Sequence, residues 1–351
     1  TIFYMGINIG AFSATLLCGW LGEVYGWSWG FGAAGVGMLL GLIVFQWGQS
    51  TLLGHGEPEY PERLTQGLGI PGMNIERAIY AGSFLMVAVV WQLVQLVDTV
   101  GTILDVLSLT VLAGLAWFLL FRCTKVERER MFVLILLTLS TVVFWALFEQ
   151  GAGSMTLYAD RVTDKTLFGI TLTAAQFGAA NSFFIFSLAP LFAMLWIRLG
   201  RRGWEPSTPV KFSLGIAQAG LGFGALVYGA QFPDQAGVVS AWWLIVAYLL
   251  HTTGELCLSP VGLSAVTKLA VPSVVGVMMG TWFLASAYSS YVAAQIATIA
   301  ARPANESSLN LTDALSGYTE LFSQLLTIGL AGGAVLLALS PVLKRMMHGV
   351  S

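Results

Sequence analysis

Three carboxylates lie inside long apolar stretches of the sequence: Asp105, Glu149 and Glu255. A charged side chain near the centre of a bilayer costs at least about 2.5–3.5 kcal/mol, so carboxylates at that depth usually serve a function. Such a group can hold a cation, or it can exchange a proton when its surroundings change. Asp105 is about one helical turn from the end of its apolar stretch and can reach the interface. Glu149 and Glu255 are therefore the stronger candidates.

Glu255 occurs in the stretch "HTTGELCLSPVG" (251–262), one turn before Ser259 and close to Pro260. Proline removes a helical hydrogen bond, and interrupted helices at membrane depth survive only against protein or a water-filled cavity. We therefore predict that Glu255 faces a cavity. A purely structural hydrogen bond is the alternative. His251 lies one turn earlier, but no third ligand accompanies the pair, so we assign no metal site.

Glu149 occurs in "TVVFWALFEQGAGSM" (141–155), where Trp145 precedes it by four residues. Residues four apart share a helix face, so Trp145 and Glu149 should face the same space. A carboxylate placed between apolar surroundings and a cationic partner is suited to carrying a proton. The alternative is an interfacial glutamate that reaches water.

Two asparagines also lie within apolar segments. Asn8 stands between Gly6 and Gly10 in "MGINIGAF" (5–12), a G-x-x-x-G spacing that permits close helix approach. Asn181 lies nine residues before Pro190. An amide in apolar surroundings needs a hydrogen-bond partner, which can be another helix or a ligand. The residues alone leave both choices open.

A second G-x-x-x-G runs from Gly276 to Gly280 and is followed by Trp282. The spacing again predicts a close helix contact. A single tryptophan in such a place is more often a packing residue than a gate.

Composition places the chain in a membrane. Of its 351 residues, 56% are hydrophobic and 10% are charged, whereas soluble domains carry about 25% charged residues. The net charge of −2 gives no reason to expect nucleic acid. The three cysteines suggest neither a disulfide framework nor a zinc site. The three histidines form no catalytic set with a nucleophile and no phosphate loop is visible, so we predict neither an enzyme nor a cofactor.

About 20 mostly apolar residues are needed to cross a bilayer. The longest apolar segment, 168–199, would have to tilt or kink. The sequence predicts ten spans, at about 1–22, 27–47, 75–97, 100–122, 131–152, 168–199, 210–231, 238–258, 272–300 and 317–343.

The distribution of Lys and Arg orients these spans. The loops 122–130 and 198–211 and the tail 344–351 are basic, and with ten spans they fall on one side of the membrane. Basic loops favour the cytoplasm, so both ends of the visible chain are predicted there. The loop 48–74 falls on the same side, and the nearly neutral loop 301–313 falls outside.

Four stretches together resemble one family: "FYMGINIGAF" (3–12), "FWALFEQGAGS" (144–154), "GELCLSPVGLSAVTKLA" (254–270) and "MMGTWFLASA" (278–287). They are similar to helices five, seven, ten and eleven of the proton-dependent oligopeptide transporters (POT/PTR) of the major facilitator superfamily. The resemblance covers essentially the whole chain and implies an all-α, multi-span fold. It divides the chain into the last two helices of the N-terminal half (1–47), a cytoplasmic loop (48–74), an inserted helix pair (75–122), a six-helix C-terminal half (131–343) and a cytoplasmic tail (344–351).

The resemblance implies proton-coupled symport of di- and tripeptides across the inner (plasma) membrane, by a monomer whose partners are peptide, protons and the lipid bilayer. Glu255 would receive the peptide's ammonium group, and Glu149 would take part in proton coupling. The resemblance also assigns a set of substrate-binding neighbours to Glu255, namely Asn8, Asn181, Trp145, Ser259 and Trp282.

Several family features have no counterpart here. The Glu-x-x-Glu-Arg motif of the first helix, the lysine of the fourth helix and the tyrosines and arginine of helices one and two are missing. Phe148 stands where some members carry a second acid beside Glu149. The chain is therefore expected to lack the first four helices of a complete transporter. The alternatives are a same-fold carrier of another solute such as nitrate, and a non-transporting peptide receptor or truncated product.

Overall fold

The computed structural model describes residues 2–55, 57–58, 60–301 and 311–350, and these residues are mainly α-helical. The predicted outer loop 301–313 therefore lies largely outside the described residues. The helices are α1 (Ile2–Tyr25), α2 (Trp27–Gly48), α3 (Pro61–Leu64), α4 (Ile75–Gln95), α5 (Val97–Phe121), α6 (Lys125–Phe148), α7 (Ser154–Val162), α8 (Ala179–Arg201), α9 (Thr208–Gly229), α10 (Trp242–Leu269), α11 (Val275–Ala301) and α12 (Leu311–Met346).

The described residues also form short 3₁₀ turns and four two-residue strands: β1 (Thr163–Asp164), β2 (Thr166–Leu167), β3 (Ile170–Thr171) and β4 (Val239–Ser240). β1 pairs in parallel with β4, and β2 pairs antiparallel with β3. The chain divides into two compact units, one formed by residues 1–31 and 110–351 and the other by residues 32–109.

The predicted multi-span helical class is confirmed. Nine helical segments among the described residues are long and apolar enough to cross a membrane. The ninth predicted span, 272–300, corresponds to α11, which is 27 residues long but is not among those nine helical segments. Its serines and tyrosines, such as Ser286 and Tyr288, lower its mean hydropathy.

The predicted basic loop 122–130 is mostly helix, because α6 begins at Lys125 rather than at 131. Thr124 and Glu127 form a capping box: the Thr124 N–H donates to Glu127 Oε2 at 2.9 Å, and the Glu127 N–H donates to Thr124 Oγ1 at 3.4 Å. Such reciprocal bonds satisfy the free N–H groups of a helix start. The helix therefore begins six residues earlier than hydropathy suggested.

The prediction of one long tilted or kinked span over 168–199 is wrong. β2 and β3 form a small hairpin whose turn places Phe168 at φ 52° and Gly169 at φ 78°, which no helix accommodates. A 3₁₀ turn at 175–178 follows, and α8 starts at Ala179. The apolar residues 168–178 therefore form a hairpin and a 3₁₀ turn that lead into α8, and not a longer helix.

Pro260 does not interrupt its helix, contrary to the prediction. α10 runs without a break over 28 residues and carries Pro260 inside it. A proline removes only one helical hydrogen bond, and packing of the helix against its neighbours can compensate for that loss. Pro190 in α8 and Pro341 in α12 are tolerated in the same way.

Glycines bring α9 into backbone contact with two other helices of the larger unit. A Cβ at Gly329 of α12 would lie 2.5 Å from the Gly220 Cα of α9, and a Cβ at Gly254 of α10 would lie 2.7 Å from the Gly215 carbonyl oxygen of α9. No larger side chain fits these positions without displacing a backbone. α9 is therefore held directly between α10 and α12.

The close contacts predicted for the two G-x-x-x-G pairs are not found. A Cβ at Gly6, Gly10, Gly276 or Gly280 would meet no atom of the described residues within 4 Å. These glycines lie on open faces of α1 and α11. A G-x-x-x-G spacing permits close helix approach, but it does not show which glycines a neighbouring helix contacts.

Substituting Gly329 with alanine should destabilise the larger unit by about 1–3 kcal/mol, the usual cost of overpacking. The matched control is Gly114→Ala in α5, where a Cβ meets nothing within 4 Å and alanine improves helix propensity. In detergent solution, Gly329→Ala should lower the apparent melting temperature by several degrees and Gly114→Ala should not. Equal melting temperatures would contradict the close backbone contact.

The smaller unit, residues 32–109, contains most of α2, the short α3, α4 and the first half of α5. The Asn74 side chain caps α4 by accepting a hydrogen bond from the Arg77 N–H at 2.9 Å. Side chains along α4 are exposed, and so is Asp105 in α5. Apolar exposure of this kind suits helices that face lipid.

Candidate functional site

Glu255 and Asn181 meet at a polar site between α10 and α8. The Asn181 Nδ2 donates to Glu255 Oε2 at 3.1 Å and to Thr252 Oγ1 at 3.0 Å. Glu255 and Thr252 are buried, and Asn181 is half-buried. Because Thr252 Oγ1 in turn donates to the Tyr248 carbonyl oxygen at 2.7 Å, its lone pairs face the amide. The geometry fixes the Asn181 amide as a donor towards the carboxylate.

An open cavity of about 480 Å³ lies beside this pair. Asn181 lines it, and so does Glu149, whose side chain is exposed at the end of α6. Glu255 is not among the residues that line this cavity, so its facing a cavity stays a prediction, and Asn181 connects the cavity to it. The other lining residues come from α1, the start of α2, the end of α6 and the turn after it, α7, the 3₁₀ turn before α8, and α10. They are Thr15, Trp27, Phe148, Gly151, Ala152, Thr156, Ala175, Gly178, Tyr248 and His251.

The chain bends at Glu149 because a 3₁₀ turn, Glu149–Gly151, ends α6. Gln150 anchors this turn: its Nε2 donates to the Ala146 carbonyl oxygen at 3.2 Å and to the Ala293 carbonyl oxygen of α11 at 3.1 Å. Ser154 Oγ donates to Gln150 Oε1 at 2.8 Å. Gln150 is fully buried, so these bonds hold the backbone that carries Glu149.

A second anchor comes from α10, where Tyr248 Oη donates to the Gly151 carbonyl oxygen at 3.0 Å. A Cβ at Gly151 would lie 3.2 Å from the Tyr248 ring, so glycine permits this approach. The 3₁₀ turn is thus tied to α11 on one side and to α10 on the other.

Replacing Tyr248 with phenylalanine should cost about 0.5–1.5 kcal/mol, because the Gly151 carbonyl loses one of its two donors, while Thr156 Oγ1 still donates to it at 2.8 Å and the ring stays in place. Tyr228→Phe is the matched control, since the Tyr228 side chain is 53% exposed. The apparent melting temperature of Tyr248→Phe should fall below that of Tyr228→Phe. Identical values would show that the hydroxyl contributes nothing to holding the turn.

Two of the other predicted substrate residues lie on the elements that build the site. Asn8 is buried on α1, which packs against α8. Ser259 is half-buried on α10, one turn after Glu255. Neither lines the cavity, and their role in binding stays a prediction.

The two predicted pocket tryptophans lie in packed surroundings. Trp145 is half-buried in α6, with its ring 5.1 Å from the Phe144 ring and 5.2 Å from the Phe148 ring; its Nε1 has no hydrogen-bond partner among the described residues. Trp282 is buried in α11 against Gly262 of α10, where a Cβ would clash with its ring. Neither lines the cavity, so contact with substrate stays a prediction for both.

His251 faces α9 rather than a metal ion. Its Nε2 lies 2.9 Å from the Ala219 carbonyl oxygen. The described residues contain no group of three His, Cys, Asp or Glu side chains able to hold a metal. His251 entered the sequence argument only as half of a metal pair, and its place in the cavity wall was missed.

Glu23 is another polar residue that sequence reasoning missed. Its Oε2 accepts from the Ala174 N–H at 3.1 Å and its Oε1 accepts from the Ala175 N–H at 2.6 Å. The Gln176 Nε2 also donates to the Leu16 carbonyl oxygen at 3.1 Å. These bonds join α1 to the entry of α8 and so help to position Asn181. A glutamate near a helix end gave no signal of a partner about 150 residues away.

A polar site between membrane-depth helices is typical of membrane transporters. The model of the POT family (PTR2) matches residues 1–314, most of the chain. The chain therefore belongs to the POT family, and the resemblance noted in the sequence is confirmed.

Curated relatives agree with this membership. The chain is 38% identical to the uncharacterized transporter YclF of Bacillus subtilis, over 100% of the chain and 68% of that protein. It is 35% identical to the peptide transporter YePEPT of Yersinia enterocolitica, over 84% of the chain and 60% of that protein. The chain thus spans about two thirds of the length of the relatives it matches.

A solved structure described as the peptide transporter POT in complex with sulfate has the same fold. It aligns with a TM-score of 0.77 and 34% identity over 99% of this chain and 68% of that one. The helix arrangement described above is therefore that of a POT transporter.

Proposed function

We propose that the protein carries di- and tripeptides together with protons across the cytoplasmic membrane. The observation that carries this proposal is the Glu255 carboxylate, buried and bonded to Asn181 through one oxygen. The second oxygen is left to accept from a primary ammonium group, which presents three donors. A charge-assisted bond of this kind is about twice as strong as a neutral one. Relatives described as peptide transporters support the same substrate.

Glu149 is proposed as the proton-coupling group. It lines the cavity and is exposed to it, so a proton can reach its carboxylate. Asn181 stands on the wall of the same cavity and donates to Glu255. Proton uptake at Glu149 and cation binding at Glu255 would therefore occur in neighbouring parts of one site.

The membrane orientation, the grouping of the helices and the oligomeric state are also proposals. The basic segments support placing both ends of the chain in the cytoplasm, and the helix bounds fit an N-terminal helix pair, an inserted pair and a six-helix C-terminal half. The working unit is proposed to be a monomer. Light scattering in detergent would measure the oligomeric state directly.

Uptake into liposomes tests the function. With an inward proton gradient, the full protein should accumulate radiolabelled dialanine, and unlabelled dipeptides should compete. Accumulation should collapse when a protonophore removes the gradient. Binding without flux would indicate a receptor, and competition by nitrate but not by dipeptides would indicate an anion carrier; either result overturns the proposal.

A further inference from the structure

The cavity wall contains a nitrogen acceptor that the proposed mechanism does not use. His251 is buried, with 1% of its surface exposed, yet it belongs to the lining of the cavity beside Glu149 and Asn181. It precedes Glu255 by four residues on α10, so the two side chains share one face of the helix, with Cβ atoms about 5–6 Å apart.

The contacts of the imidazole fix its orientation. A Cβ built at Gly222 would lie 2.4 Å from His251 Cδ2 and 2.5 Å from its Nε2, so this edge of the ring faces α9. In a five-membered ring, Nδ1 is the atom opposite that edge. Since α9 takes the Cδ2–Nε2 edge, the opposite edge with Nδ1 is the one left for the cavity that His251 lines.

The Ala219 carbonyl also fixes the tautomer. A carbonyl oxygen only accepts, so the Nε2 atom 2.9 Å away must carry the hydrogen. The neutral ring then has its free lone pair on Nδ1. The rings of Phe148 and Phe223, with centroids 6.2 Å and 4.9 Å away, enclose the imidazole in apolar surroundings that favour the neutral form.

We propose that His251 is a specificity-determining residue whose Nδ1 accepts a hydrogen bond from the side chain of the peptide's first residue. This inference rests on the proposed function, in which Glu255 holds the ammonium. One helical turn separates the two acceptors, which matches the reach from a peptide's ammonium to the tip of its first side chain. The site therefore favours a donor side chain such as asparagine over an apolar side chain of the same shape.

The surroundings of the imidazole agree with a donor as its ligand. The titratable groups facing this space are Glu149 at the end of α6, and Tyr248 and Glu255 on α10. α9 presents Ala219, Gly222 and Phe223 to the ring, and α8 presents the amide of Asn181. The cavity lining contains no Lys or Arg among the described residues. A peptide side chain that donates hydrogen bonds thus meets two acceptors in the cavity wall, the Nδ1 of His251 and the carboxylate of Glu149.

The experiment compares Asn-Ala with Leu-Ala, two dipeptides of nearly the same shape, as inhibitors of dialanine uptake by the full protein in liposomes. The readout is the inhibitory concentration of Leu-Ala divided by that of Asn-Ala. A general loss of transport affects both values and therefore cancels. In His251→Phe, which keeps a ring but removes Nδ1, the ratio should shift by about two- to ten-fold in favour of Leu-Ala, the range of one neutral hydrogen bond. His251→Asn, whose amide oxygen can occupy the Nδ1 position, should restore the preference.

An unchanged ratio in His251→Phe overturns the inference, and so does a shift that His251→Asn fails to reverse. His348→Phe is the matched control, because His348 lies outside the cavity and pairs with Glu129; its ratio should equal that of the wild type. If His251→Phe does not reach the membrane, the smaller His251→Leu gives the same comparison. Failure of the wild type to take up dialanine would count against the proposed function instead.

Discussion

Substituting Glu255 with glutamine should weaken the apparent affinity for dialanine on the order of 100-fold. Truncating one partner of a buried charge pair typically costs about 2–5 kcal/mol, and each 1.4 kcal/mol is about ten-fold in affinity. Glutamine keeps the shape of the side chain, and its carbonyl oxygen can still accept from Asn181 Nδ2, which bonds Glu255 at 3.1 Å. The change therefore removes charge without removing the local structure.

The sharpest measurement uses a second ligand that lacks the charge. The wild type should discriminate strongly between dialanine and N-acetyl-dialanine in competition assays, because the acetyl group abolishes the ammonium. In Glu255→Gln the ratio of the inhibitory concentrations of N-acetyl-dialanine and dialanine should fall towards one. Matched variants at Glu205, an acid between α8 and α9 that pairs with Lys211, should leave it intact. Full discrimination in Glu255→Gln would mean that the ammonium binds elsewhere.

The second large effect is expected for Glu149→Gln, which should abolish accumulation while preserving exchange. A membrane potential of 100 mV supplies about 2.3 kcal/mol per proton carried, equivalent to a roughly 50-fold concentration of the solute. A transporter whose coupling carboxylate cannot bind a proton loses this driving force. Because Glu149 is exposed at the cavity and the turn around it is held by Gln150, the substitution should not disturb folding.

Proton-driven uptake and counterflow, measured on the same liposomes, separate coupling from binding. Glu149→Gln should take up no dialanine against its gradient, yet it should exchange labelled for unlabelled peptide at a rate that no longer depends on pH. Glu320→Gln is a control at an acid of α12 outside the cavity. Wild-type accumulation in Glu149→Gln would exclude this carboxylate from coupling.

The sequence was sufficient to locate most of the long helices and two carboxylates of the site, Glu149 and Glu255. Hydropathy located the long helices because the bilayer demands about 20 apolar residues for each span, and the cost of burying charge singled out Glu149 and Glu255. The pairing of Asn181 with Glu255 followed only from the family resemblance, because two residues 74 positions apart share no local pattern.

Other features depended on tertiary contacts that a single sequence does not encode. The start of α6 was misplaced because a capping box outweighed local hydropathy, and Pro260 was misread because tertiary packing can retain a helix that proline alone would weaken. The G-x-x-x-G rule chose Gly6 and Gly10, whereas the structure uses Gly220 and Gly329. Small residues are common in membrane helices, and only the fold decides which of them touch.

The glycine contacts of α9 also limit how the protein can change shape. A helix rises 1.5 Å per residue, so sliding α9 along α10 or α12 by even one residue would bring a Cβ against the opposite backbone at Gly254 or Gly329. These three helices must therefore travel together as one rigid block, and Glu255 travels with them. Opening and closing of the site is then left to helices outside this block, such as α8, whose Asn181 meets Glu255 through its side chain.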